Sequence, residues 1–349
     1  MFIKQLQETV KDAFAKKIEL DIQSGNSKRF LGRTPKGAAL SIAQYSGIVE
    51  YDPAELVITV KAGTALRDIN SALAKNNQYL PFDAPNFSNE STIGGVVAAG
   101  LSGPIRPWTG SVRDYVLGIE CIDGRGDHLR FGGRVMKNVA GYDVSRLTVG
   151  SMGTLGIILQ MSFKVLPKPE TSATVYFDCS QVKSIEKITQ MGLTSLPLSA
   201  SLWVANKLFV RLSGSQAAVA KGLEIIGGNR CLDNDLWQKL RDHTHSFFHG
   251  ESPLWRVSVP ANSAVAEIGD ECLVEWGGSL RWYKSSQQNE KFHEYAQKCG
   301  GNAILFRNGD RSSDVNGKLH PVLGRIHKQL KKSFDPGNIL NPGRMYKDL

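Results

Sequence analysis

The alternation of apolar and polar positions is cleanest from Ile157 to Val165. There Ile157, Leu159, Met161, Phe163 and Val165 share one face of a strand, and Ile158, Gln160, Ser162 and Lys164 share the other. Pro167 and Pro169 end that strand, and PKPETS is the expected break between two parts of the chain. Upstream, from Lys17 to Leu166, short strands alternate with short helices. IELDI reads as a strand that stops at Ser24-Gly25-Asn26-Ser27. Leu66, Ile69 and Leu73 recur at helical spacing, after a cap at Thr64 and before a stop at Asn76-Asn77. Downstream the pattern changes. TVYF, SLWVA, LFVRL, WRVSV, LVEW, LRWY and AILF predict strands, separated by helices over 181–192, 215–226, 233–248 and 287–299. That mixture predicts an α+β unit with a mostly antiparallel sheet. A basic helix from Pro321 to Phe334 and a turn-rich loop, DPGNILNPGRMY, close the chain.

Composition narrows the class. A chain of 349 residues, 41% hydrophobic and 21% charged, buries a sizeable core without disulfide or metal staples. The 42 Lys+Arg against 33 Asp+Glu leave a net charge of +9, which favours an anionic ligand or surface. Arg325, Lys328, Lys331 and Lys332 form a basic cluster, expected to be part of a docking surface. Nucleic acid is not an expected partner, because zinc-finger spacing, RNP-like aromatics and dense basic helices are missing. Cys121, Cys179, Cys231, Cys272 and Cys299 lie more than twenty residues apart and form no C-x-x-C pair. They read as reduced thiols in a cytosolic setting, unable to hold an iron–sulfur cluster from local ligands. MFIKQLQETVKDAF carries charges throughout and lacks the apolar core of an export signal. The expected location is therefore cytoplasmic, with any membrane association peripheral.

Glycine is the exception to ordinary composition: 35 residues, about 10% against a usual figure of about 7%. Gly150, Gly153 and Gly156 invite a dinucleotide-fold reading, but a strand follows them where that fingerprint needs a helix, so the Rossmann reading fails. No P-loop motif is present. Three glycine loops remain, over Gln23–Arg33, Ser91–Asp114 and Val139–Ile157. Such loops offer backbone N–H groups to an anion, and they let phosphate approach where no Cβ stands in the way. Three of them imply a long ligand with an anionic centre.

On these residues the chain resembles a known family. STIGGVVAAG, GSVRDYVLGIE, KNVAGYDVSRLTVGSMGTLGI and FDPGNILNPGR together resemble the FAD-linked oxidases with a PCMH-type, vanillyl-alcohol-oxidase-like FAD domain. IQSGNSKRFLGR, GPIRPWTGSVRD, FGGRVMKNVAGYD and NPGRMY make it similar to the flavin-carrying subunits of bacterial glycolate oxidases. The resemblance implies an α+β chain in three parts. A PCMH-type FAD-binding domain of two α/β subdomains spans 1–168, and a smaller α+β cap spans 171–310. A C-terminal helix and NPGR loop, 311–349, return to the FAD domain. It further implies that Ser24, Gly25, Asn26 and Ser27 form the first pyrophosphate loop, and that Thr92, Ile93, Gly94, Gly95 and Gly100 form the second. Gly103, Ser111, Val112 and Asp114 continue along the flavin, Gly156 and Ile157 lie against the adenosine half, and Asn341 and Arg344 close over the cofactor. The first histidine is His128, beyond the N-terminal loops from which the family tethers flavin covalently, so non-covalent FAD is implied.

Relatives that oxidise 2-hydroxy acids carry a histidine-rich metal motif in the cap, and here CGGNAILFRNGDRSSD stands in its place. His243, His245, His249 and His293 are the remaining histidines of that region. His245 and His249 share a predicted helical face without a third ligand, so no metal site is expected. The catalytic base is not legible. The leading functional reading is an FAD-carrying subunit of a multi-subunit glycolate dehydrogenase, possible also for D-lactate, passing electrons to a non-oxygen acceptor. Its implied partners are a homologous larger FAD-containing subunit and an iron–sulfur subunit. That complex would sit peripherally on the inner face of the cytoplasmic membrane. Two alternatives are a flavin-bearing structural or regulatory subunit without turnover, and a stand-alone alcohol oxidase.

Overall fold

The computed structural model describes residues 1–133, 142–286 and 289–349. The opening of the third glycine loop and most of FGGRVMKNVAG, at 134–141, lie outside the described residues, as do 287 and 288.

Two sheets organise the chain. The first has five antiparallel strands in the order Ile48–Asp52, Val57–Lys61, Ile157–Lys164, Val116–Ile122 and His128–Gly132. Ile157–Lys164 is its central strand. Ile158 and Ser162 on the nominally polar face are buried there as well, because a central strand is covered on both sides. The helices Phe2–Lys16, Leu66–Ala74 and Ile93–Ala99 bring Val10, Leu73, Ile93 and Val96 into the same core as Ile58, Val60 and Phe163. Beside this sheet, Leu20–Gln23 pairs in parallel with Ala38–Ser41. Leu20 also bridges Leu340, which brings the C-terminal loop back to the first loop.

The second sheet has eight strands in the order Asn229–Arg230, Thr171–Asp178, Lys207–Gly214, Leu198–Val204, Glu271–Glu275, Leu280–Lys284, Leu254–Ser258 and Asn302–Arg307. Its pairings are antiparallel. All seven strands expected in this region belong to it, and the α+β class expected from sequence stands. Gln181–Gly192, Gln216–Ile226 and Pro321–Phe334 form as helices close to the expected bounds.

Two local expectations need correction. Thr64 does not cap its helix. Ala65 occupies the N-cap position, while the Thr64 hydroxyl donates to the Lys61 carbonyl at 2.7 Å. The helix expected over 233–248 covers only Leu236–Arg241. The chain leaves it at Asp242 and turns through His243 at φ 55°, a left-handed conformation that cannot continue a helix. His245 and His249 therefore flank a single 3-10 turn, Ser246–Phe248, and share no α-helical face. Among the described residues, no cluster of three or more His, Cys, Asp or Glu side chains is placed to hold a metal. None of their helices is long and apolar enough to cross a membrane.

Candidate functional site

The first glycine loop leaves the strand Leu20–Gln23 and lines an open cleft. Ser24, Gly25, Asn26 and Ser27 form one wall, Thr92 and Gly95 another, and Asn341 and Arg344 a third. Among the described residues, the backbone N–H groups of Ser24, Gly25, Asn26, Ser27 and Lys28 have no protein acceptor, and Asn26 sits at φ 53°. A run of free N–H groups through a left-handed residue is an anion nest. The Ser24 hydroxyl is buried without a partner, a cost that a ligand oxygen would remove. A Cβ on Gly25 would run into the Glu90 carbonyl oxygen, so this glycine lets the first loop lie against the loop that precedes Thr92.

Sequence analysis named Arg344 and missed two further cations at this cleft, Lys28 and Arg29. Lys28 is buried against Phe87, its ammonium 5.6 Å from the ring centroid. Burial lowers its pKa to about 8, with Asp242 opposing the shift. Arg29 pairs with Asp21 at 2.7 Å. Lys28 and Arg29 directly follow the nest in SGNSKR, so the signal was present in the motif itself.

The second loop divides its labour. The Ile93 and Gly94 N–H groups are spent on the Thr64 and Ala62 carbonyls, at 3.0 and 2.9 Å. A Cβ on Gly94 would meet that of Ala62 at 2.8 Å. Gly95 instead faces the cleft, its added Cβ meeting only the Thr92 hydroxyl at 3.4 Å. Gly100 lies against Gly150, whose Cα a Cβ would approach to 2.9 Å. The close crossing lets Met152 N–H bond to the Ala98 carbonyl at 2.8 Å and brings Met152 into the cleft. Val112 and Ile157 are fully buried core residues, and Gly156 packs on the strand Val116–Ile122 beside the Ile122 carbonyl. Ser111 and Asp114 form a capping box, with Ser111 N–H donating to the Asp114 carboxylate at 2.7 Å. Gly103 lies outside the cleft, in a second pocket.

The C-terminal loop clamps the first one. Asn341 donates to the Met152 carbonyl at 2.6 Å and accepts from Ile22 N–H at 2.8 Å. The Arg344 guanidinium donates to the carbonyls of Arg33 and Arg29. Burial, with Arg311 nearby, lowers its pKa to about 10. Arg311 holds the carbonyls of Gly32, Leu31 and Arg33. Lys331 is not on the surface where the basic cluster was expected. It is 6% exposed, and its ammonium bonds to Asp335, the Leu340 carbonyl and the Thr154 carbonyl at 2.7, 2.6 and 2.9 Å. It fixes the turn that delivers Asn341.

The second pocket lies between the second sheet and the loop around Phe87. Arg256, Glu275, Leu280 and Trp282 face it from the sheet, and Phe87, Ser102 and Gly103 from the loops, with His243 and Phe306 completing the wall. Phe30 packs behind this wall, its ring 5.4 Å from Phe87 and 5.3 Å from Phe306. Burial pushes the Glu275 carboxyl up to about 7, against the Trp282 indole N–H that donates to it at 2.7 Å and against Arg256.

A family profile described as an FAD binding domain matches residues 3–132, the part of the chain that carries the first two glycine loops. The fold is similar to that of alkyldihydroxyacetonephosphate synthase, with a TM-score of 0.65 over 97% of this chain and 75% of that one, at 14% identity. The chain is 44% identical over 348 residues to the glycolate oxidase subunit GlcE of Escherichia coli strain K12, covering all of this chain and 98% of that protein. The chain belongs to the GlcE family. This GlcE-family chain is also 39% identical over 142 residues to the glycolate oxidase subunit GlcD of Bacillus subtilis strain 168, across 41% of its own length and 30% of that protein's. The family's cofactor is FAD, and the nest, the cations and the orphaned Ser24 hydroxyl have the chemistry to take its phosphates.

Proposed function

We propose that this protein is the FAD-carrying subunit of a multi-subunit glycolate oxidase, and that it serves the oxidation of glycolate, and of D-lactate, to the 2-oxo acid. The observation that carries the reading is the cleft: five consecutive unpaired N–H groups beside Lys28, Arg29 and Arg344, in a chain similar along its whole length to a glycolate oxidase subunit. Residues 1–168 and 311–349 hold the cofactor, with 171–310 as the cap. Ser24, Gly25, Asn26, Ser27, Thr92 and Gly95 bind the pyrophosphate, and Asn341 and Arg344 lock the loop around it. When bound, FAD supplies a two-electron acceptor for the α-hydrogen of the acid. The protein's part is to fix that acceptor and to neutralise its charge through preorganised N–H groups and cations.

FAD is held non-covalently, since no histidine precedes residue 128. Electrons leave through partner subunits, a larger flavoprotein and an iron–sulfur protein. Arg325, Lys328 and Lys332 on the exposed side of Pro321–Phe334, next to exposed Val322, Leu323 and Ile326, are the docking side chains. The assembled complex sits peripherally on the membrane. The test is twofold. Acid precipitation of the purified protein should release its FAD into the supernatant. Glycolate-dependent dye reduction should require the partner subunits, and full turnover by the isolated chain would replace this reading with a stand-alone oxidase.

A further inference from the structure

Among the described residues, three cations line the cofactor cleft, and two of them are already spent on the protein. Arg29 pairs with the Asp21 carboxylate at 2.7 Å. Arg344 donates to the carbonyls of Arg33 and Arg29. Lys28 is different. It is 9% exposed, and its ammonium donates to the Ser27 hydroxyl at 3.3 Å, with no carboxylate among the described residues paired to it. Ser27 belongs to the nest, and its hydroxyl is fixed by that of Ser91, which donates to it at 2.9 Å. The ammonium is therefore anchored at the end of the run of free N–H groups. Its contact with the Phe87 ring is attractive but leaves the positive charge uncompensated. A buried ammonium without an anion is costly, and a ligand anion removes that cost.

The charged and titratable groups around Lys28 are held in fixed states. Asp242 accepts two bonds from the Arg241 guanidinium, at 2.8 and 2.7 Å, and one from Asn86 N–H at 2.8 Å. Across Phe87, the Arg307 guanidinium lies 5.4 Å from the ring centroid, and His243 packs edge-on at 5.1 Å. Burial, with Arg307 and Arg256 nearby, keeps the His243 pKa well below its ordinary value. On the cleft side stand the Arg29–Asp21 pair and Arg344, whose pKa burial lowers only to about 10. We propose that Lys28 is the counter-ion of the cofactor's pyrophosphate, and that FAD and a proton bind this cleft together. The inference rests on the cofactor reading above and adds to it which cation answers the phosphates. A pyrophosphate beside the ammonium favours its charged form. Where Lys28 has lost its proton, binding must restore it: the neutral amine, one proton and FAD give the ammonium–pyrophosphate pair. Burial lowers Lys28 to about 8, against the pull of Asp242. FAD affinity is therefore full below that pH and falls as pH rises through it.

The experiment titrates the flavin-free full chain with FAD, followed by flavin fluorescence between pH 6.5 and 9. Calorimetry at pH 8.5 in two buffers of different ionisation enthalpy counts the protons. Affinity should be level up to pH 7 and about tenfold lower at pH 9, with most of one proton taken up per FAD at pH 8.5. Lys28→Met should weaken FAD about tenfold at pH 7 and flatten the profile. Lys28→Arg keeps a charge that cannot be lost, so it should bind FAD with a level profile and no proton uptake. Arg29→Met should weaken FAD at every pH and keep the parent slope. ADP-ribose, which carries the pyrophosphate without the flavin, should show the parent slope when titrated by calorimetry. A level parent profile, or a slope that survives in Lys28→Arg, overturns the proposal. A slope seen with FAD and not with ADP-ribose overturns the assignment to the pyrophosphate. A parent chain that binds neither ligand at pH 7 overturns the cofactor reading, and this inference with it.

Discussion

The two recesses of this protein, the cleft at the first glycine loop and the pocket on the second sheet, are made differently. The cofactor cleft is built mostly from backbone: consecutive N–H groups from Ser24 to Lys28, a glycine at 95 with its α-carbon toward the ligand, and carbonyls gripped by Arg311 and Arg344. The second pocket is built from side chains that project from separate strands and loops, and its polar atoms are an arginine, a histidine and a glutamate held in aromatic walls. Backbone sites tolerate little change in shape and much change in neighbouring side chains. Side-chain sites tolerate the reverse. The first cleft should therefore fail when a Cβ is added or a clamp is cut, and the second when a charge is exchanged.

The largest expected effect is at the clamp. Lys331→Met leaves Asp335 buried without its cation, a loss of about 3–5 kcal/mol for breaking a buried pair. Asp335 also accepts from Ile339 and Leu340 N–H, so the turn that carries Asn341 should loosen. Thermal unfolding should move down by several degrees, and FAD retention should fall with it. Unchanged stability would show that the C-terminal turn holds itself.

Next comes the glycine contrast. Gly95→Val should reduce bound FAD at least tenfold, with little change in the melting temperature of the apoprotein, because its side chain enters the cleft rather than the core. Gly94→Val should lower both, because it collides with Ala62. Equal behaviour of the two variants would remove the distinction drawn between their roles. A smaller loss is expected at Arg344→Met, which deletes two charge-assisted bonds to the first loop. At about 1.5–3 kcal/mol for a hydrogen bond to a charged group, FAD affinity should fall about tenfold or more. Flavin fluorescence on dilution measures this.

The smallest effect is a pH dependence in the second pocket. Glu275 titrates near 7 in the presence of Arg256, Asp83 and the Trp282 N–H, with Arg241 and His243 also on the pocket wall. Below pH 7 it is neutral. The unfolded chain ionises this carboxyl at the ordinary glutamate value, so stability should fall as pH rises from about 4.5 through 7. Thermal unfolding followed between pH 5 and 7.5 should show the fall, and Glu275→Gln should flatten it.

The same division explains what was legible. The strand Ile157–Lys164, seven of the eight strands of the second sheet and the helix Pro321–Phe334 follow from periodicity, because each buries a face whose spacing is written along a single segment. The glycine loops were equally visible, because an anion nest is a local device of a few adjacent residues. The distinction between Gly94 and Gly95 was not, because it depends on where Ala62 lies. His243 was read as helical, since neither its left-handed turn nor the Phe248 stack is marked in the surrounding residues. Lys331 looked like its exposed neighbour Lys332 until the C-terminal turn folded over it.

Sequence alone determined most of the strands and helices, the positions of the glycine loops and the family, since each is encoded by residues close together in the chain. Only the tertiary structure decided which glycines face a ligand, which lysine is a buried strut, and that His243, Arg256 and Glu275 share one pocket. Those facts depend on distances between segments that are far apart in the chain, and no local pattern specifies them.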